Sequence, residues 1–228
     1  MKTARTADSK KYNLYSVIHK YARHEINRVT ELAGSIDFSD PKDRATFVTE
    51  LENLFDFLDD HSNREDLFIH PLLKKIKSTH LETLEDEHKS LDADANHLKE
   101  DLKKSQTEQE WYAFYLKFVQ FQVAYFKHLH DEETKIMLEL QASFSNDSLH
   151  EVSRELMKDM PREKMIAITK VMLPIINHLE RVPMYLGMKA SMPHELFKEI
   201  CQLAQASLSQ DDAHKLFTAI GIKPSFLY

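Results

Sequence analysis

Over roughly its first 145 residues the chain alternates apolar and polar positions in steps of three and four, the signature of helices that each bury one narrow stripe. Four long segments carry such a stripe. Segment A, from about Ser9 to Ile36, reads Tyr12, Tyr15, His19, Ala22, Ile26, Val29, Ala33. Segment B, from Asp40 to about His70, reads Phe47, Leu51, Leu54, Leu58, His61, Glu65, Phe68, Leu72. Segment C, about Thr79 to Lys104, reads Leu81, Leu84, His88, Leu91, Ala95, Leu98, Leu102. Segment D, about Thr107 to Ala142, reads Trp111, Phe114, Phe118, Phe121, Tyr125, His128, Glu132. Asp40-Pro41 is an N-cap followed by proline at the first helical position, and Pro71 disrupts a continuing helix. The joints are short and polar, which predicts antiparallel neighbours in an up-down-up-down four-helix bundle.

After Ser143 the pattern shortens. Residues 143–148 read as a linker, followed by helices at about 148–160, 162–179, 193–208 and 210–220, punctuated by Pro161, Pro174, Pro183, Pro193 and Pro224. The expected organisation is therefore a bundle over residues 1–145 and a C-terminal helical extension over 146–228. Only three glycines occur, too few for the turns of a hairpin-rich sheet, so the fold class is all-α. The single cysteine, Cys201, excludes an intramolecular disulfide, a zinc-thiolate site and an iron–sulfur cluster. The net charge of -7 with scattered basic residues argues against nucleic acid or an anionic membrane as partner. The polar start and the lack of a long apolar run predict a cytoplasmic protein.

The stripes are broken where chemistry enters. Segments A and C each carry one histidine at the core-facing phase, His19 and His88. Segments B and D each carry a His-x-x-x-Glu pair, His61 with Glu65 and His128 with Glu132, whose spacing puts both side chains on one face a turn apart. Burying a carboxylate without a partner costs on the order of several kcal/mol, and two of them repel. Cations among them remove that penalty. At about 1.5 Å per residue, the six positions fall at one height of an antiparallel bundle to within several ångströms. Four imidazoles, two bridging carboxylates and one solvent-derived oxygen suffice for two ions, and such a set suits iron or manganese, with zinc an imitator.

A lone His-x-x-x-Glu is usually a surface contact, and a lone core histidine is usually hydrogen-bonded structure; the reading rests on their conjunction. His24, His70, His80, His97, His130, His150, His178, His194 and His214 fall off the pattern and read as ordinary residues. Asp92, one turn past His88, stands as a further ligand, an acceptor for a ligand N–H or a solvated residue. Glu133 competes with Glu132, and the stripe phase favours Glu132. Tyr15 and Tyr125 lie one turn from ligands, so that a hydroxyl can reach a bound small molecule; the alternative is a buried tyrosine bonded to backbone.

The segments Ile18-His-Lys-Tyr-Ala-Arg23, His61-Ser-Asn-Arg-Glu-Asp66, Glu87-His-Lys-Ser-Leu-Asp92 and His128-Leu-His-Asp-Glu-Glu133 together resemble the hemerythrin-like (HHE cation-binding) family. The resemblance covers about residues 10–142. It implies a bundle holding an oxo- or hydroxo-bridged pair of non-haem iron ions on His19, His61, Glu65, His88, His128 and Glu132. Oxygen carriers of the family have a second histidine where this chain has Asp92, and an aspartate at the position of Glu133. The chain is thus more similar to the six-ligand sensing and stress-response members. The implied function is binding or sensing of O₂, NO or peroxide. The alternatives are an enzyme acting on peroxide, NO or Fe(II), and a structural metal site. Met165, Met172, Met184, Met188 and Met192 make the C-terminal helices a candidate surface for a protein partner or a homodimer, with core filling as the other reading.

Overall fold

The computed structural model of the chain describes residues 11–223 and Phe226. Ser9 and Lys10, where the sequence reading starts segment A, and Pro224 lie outside the described residues. Those described form helices and connections, with no strand among them. The fold class is all-α, as expected.

Helix α1 (Ser16–Ser35) begins later than the stripe suggests, because the Asn13 side chain accepts hydrogen bonds from the backbone N–H groups of Tyr15 and Ser16 and caps the start there. Tyr12 consequently precedes the helix, and its hydroxyl reaches Ser153. Helix α2 (Pro41–Phe68) starts as read, with Asp40 accepting from the N–H groups of Lys42 and Asp43. Pro71 does not end helical structure in that region. It separates α2 from a short helix α3 (His70–Lys75), in whose first turn proline is tolerated. Helix α4 (Leu81–Lys104) follows, then α5 (Glu108–Asp131), which opens on a capping box between Thr107 and Glu110.

Segment D is not one continuous α-helix. Residues Glu132–Ile136 form a π turn, in which the Met137 N–H bonds the Glu132 carbonyl five residues back, and α6 (Met137–Ser143) continues from it. The three-and-four stripe extrapolates past Glu132 to Lys135 and Glu139. The buried residues are instead Ile136 and Leu140, one position later, with Met137 beside Ile136, because the wide turn absorbs one extra residue.

Contacts divide the described residues into two compact units, 11–16 with 26–158 and 17–25 with 159–223 and 226. The division differs from the expected boundary at 145. Helix α7 (Asn146–Lys158), whose start reads as linker in the sequence, belongs to the first unit. Leu149 on α7 is buried with Tyr15, Leu73, Leu84, Ile136 and Leu140, and the Leu156 carbonyl accepts from Arg64 on α2 at 2.7 Å. The rest of this unit is a helical bundle filled by aromatic rings: Phe47 and Phe55 of α2 meet Trp111, Phe114, Phe118 and Phe121 of α5 edge-on.

In the second unit are α8 (Arg162–Ile175), α9 (His178–Ser191), α10 (His194–Ser207) and α11 (Gln210–Ala219). Helix α9 is absent from the sequence reading because Pro183 lies inside it. Its signal is the capping box between Asn177 and Glu180, which the structure forms. Met165 and Met172 are buried, while Met184, Met188 and Met192 are partly buried against the core built on Leu173, Tyr185 and Ile200. The methionines act there as core filler. No helix among the described residues is long and apolar enough to cross a membrane.

Candidate metal centre

Helices α2, α4 and α5 with its π turn bring five of the six expected ligands together. His61, Glu65, His88, His128 and Glu132 are all buried, and Glu132 has no exposed surface. His61 Nε2 lies 3.3 Å from Glu65 Oε1, and Glu65 Oε2 lies 3.6 Å from His88 Nε2. The Nε2 atoms of His88 and His128 face each other at 3.2 Å, and His128 Nε2 is 3.4 Å from Glu132 Oε2. One ligand atom each from Glu65, His88, His128 and Glu132 falls within 4.8 Å of the others, a spacing that a metal ion spans. His19, the sixth, is fully buried on α1, in line with Ala22, Ile26, Val29 and Ala33 on the same face.

Two flanking carboxylates decide the protonation of the paired imidazoles. Asp66 accepts from His88 Nδ1 at 2.8 Å, and Glu87 accepts from His128 Nδ1 at 2.9 Å. An ionised carboxylate is an acceptor only, so each Nδ1 donates, and in a neutral imidazole Nε2 then keeps its lone pair. The two lone pairs then point at one another. Burial holds the His128 imidazole below its ordinary pKa, which favours this neutral form.

The carboxylates behave in the same way. Burial pushes the Glu132 carboxyl well above its ordinary pKa, and the charge of Glu65 adds to the effect. The charges that act most strongly on it come from Glu65, Glu87 and Glu133, all acidic. Tyr15 and Tyr125 are buried against this cluster; burial first, and then the Glu132 and Glu65 charges, raise both phenols well above the usual range. The donor set of imidazole nitrogens and carboxylate oxygens fits a divalent cation of the iron, manganese or zinc kind.

Sequence reading misses three residues of the site. Asp66 and Glu87 sit one position beside the stripe ligands Glu65 and His88, and that adjacency is their only signal. His70, which reads as ordinary, is buried; its Nδ1 lies 3.0 Å from Asp66, and its ring stacks on His88 with centroids 5.2 Å apart. Asp66 thus ties two imidazoles to one oxygen. Burial lowers the His70 pKa, against the raising effect of Asp66. Between the competing acids, the structure buries Glu132, leaves Glu133 half-buried and leaves Asp92 exposed; neither Glu133 nor Asp92 belongs to a group of ligand atoms within metal-spanning distance. His80, His97, His130, His150, His194 and His214 are exposed, while His24 and His178 are partly buried.

No curated protein and no solved structure gives a significant match to the chain. A family model does match, the hemerythrin HHE cation-binding domain, over residues 11–140. That span takes in α1 to α5, the π turn and the five clustered residues together with His19, and the chain belongs to the hemerythrin HHE cation-binding family.

Proposed function

We propose that the chain holds two iron ions on His19, His61, Glu65, His88, His128 and Glu132, and that it uses them to bind and sense O₂, NO or peroxide. One observation carries the reading: the Nε2 atoms of two buried imidazoles face each other at 3.2 Å, between two buried carboxylates. Such an arrangement is repulsive by itself and favourable around cations. His19 joins the set by its burial and its phase on α1. When bound, reduced iron supplies electrons and open coordination positions to a small ligand.

The chain's own residues do the rest. Asp66 and Glu87 fix the tautomers that present Nε2 inward. Tyr15 and Tyr125, both buried beside Glu65 and Glu132, lower the dielectric around the cluster. Sensing is favoured over oxygen carriage by Asp92, which stands exposed where the carriers have a ligand histidine.

Anaerobic titration of the metal-free protein with Fe(II), followed by metal analysis and Mössbauer spectroscopy before and after air, tests this. Two irons per chain that both change oxidation state are expected. Binding of fewer than two, or two irons that stay ferrous in air and ignore NO, would sink the proposal.

A further inference from the structure

The first unit contains a cleft of about 200 Å³ between α2, α4 and α5, room for several waters. Its outer end is lined by Asp56, Asp59 and Asp92, all exposed, and its inner end by His88 and Tyr125, each only 3% exposed. None of the three aspartate side chains takes part in a salt bridge or hydrogen bond among the described residues. The one basic residue of the lining, Lys99, holds its ammonium over the Phe55 ring, 5.5 Å from the centroid. Three acids against one base leave the cleft negative.

The hydroxyl of Tyr125 gives the cleft a direction. It belongs to a buried side chain that lines the cleft, yet it makes no hydrogen bond among the described residues. A polar group in that position takes its partner from whatever the cleft contains. His88, beside it, belongs to the metal-competent cluster.

We propose that this cleft is the loading path for a divalent cation. A hydrated ion is drawn in by Asp56, Asp59 and Asp92. It sheds water against the Tyr125 hydroxyl and passes to His88 Nε2. The inference rests on the metal-binding reading above but concerns the rate of filling rather than the ligand set. Acidic funnels with low-dielectric walls raise the local concentration of cations and their on-rates.

Stopped-flow uptake of Co(II) by the metal-free full chain, read from the ligand-field bands of the bound ion, provides the test. In the Asp56→Asn/Asp59→Asn/Asp92→Asn variant, uptake at low ionic strength should slow by about tenfold, within the range that steering supplies. Its final stoichiometry should equal that of the parent, and added salt should slow the parent far more than the variant. Lys99→Gln should load about twofold faster at low salt, the opposite sign from the same cleft. A triple variant that fills at the parent's rate with the parent's salt dependence overturns the proposal. So does one that ends with fewer ions, since the aspartates would then be ligands. A parent chain that takes up no cobalt overturns the metal-binding reading itself, a result distinct from either.

Discussion

The two units bury polar groups in opposite ways. In the C-terminal unit, Arg181 is buried, yet its Nε–H donates to the Leu173 carbonyl at 2.9 Å and its Nη1 lies 3.5 Å from Asp212. The buried Tyr185 hydroxyl donates to the Ile200 carbonyl at 3.0 Å. These groups are answered by backbone and by opposite charge, so they lock helix to helix. In the bundle, His88 and His128 turn lone pairs toward each other, and Glu132 feels mainly other acids. Buried polarity met by backbone and opposite charge is architecture; imidazoles and carboxylates gathered at one place in a core are compatible with a cation.

The contrast is tested most directly by adding metal. Fe(II) or Zn(II) at about a thousand times its dissociation constant should stabilise the bundle by about 4 kcal/mol. Amide exchange should slow in α2, α4 and α5 and stay unchanged in α10 and α11. Equal slowing in all of them would erase the distinction. Next in size is Glu132→Gln, with two signs in one variant. Metal affinity should fall by more than about 100-fold, roughly 3 kcal/mol, while the metal-free protein gains about 1 kcal/mol because a buried amide, unlike the Glu132 carboxyl, needs no proton taken up to stay neutral beside Glu65. Urea unfolding with and without metal reads both, and a loss of stability in the metal-free protein would count against a strained carboxylate pair.

The C-terminal unit should answer to alkali. Burial pushes the Cys201 thiol from 9.0 up to about 11. An acid whose folded pKa is raised leaves stability untouched below the unfolded value and lowers it as the unfolded chain ionises first. Between pH 9 and pH 11 the unit should therefore lose about 2–3 kcal/mol. Cys201→Ala should flatten that slope relative to the parent in pH-dependent denaturation. The smallest effect belongs to the flanking carboxylates. Asp66→Asn and Glu87→Gln should each weaken metal binding by about tenfold or more by releasing an imidazole tautomer. Calorimetric titration that finds parental affinity in both would make them bystanders.

How much of this is legible in the sequence depends on what each signal measures. Periodicity reports the face of a helix, so it puts His61, Glu65, His88, His128 and Glu132 inward, and all five are buried. It reports nothing about a residue on the rim of the stripe, and so it passes over Asp66 and Glu87 although they orient the imidazoles. Proline is a weaker stop signal than it looks. Pro71 and Pro183 read as terminators, yet Pro71 opens a new helix, and Pro183 lies inside one that a capping box announces. The contact division departs from the boundary at 145 for another reason. Serine and asparagine at 143–148 mark a turn, and a turn says nothing about which core the next helix joins; Leu149 joins the first. The π turn is invisible because the periodic stripe runs only to Glu132, one step before the phase shifts.

That π turn makes segment D tolerant of a change in length. A wide turn holds a surplus residue without rotating the helix beyond it, so losing one residue between Glu133 and Lys135 would let the rod relax into an ordinary α-helix. Met137 and Leu140 would still face Tyr15 and Leu84, and only the backbone beside Glu132 would be redrawn. A lineage can in this way retune the setting of one carboxylate by insertion or deletion, while the packing downstream is inherited intact.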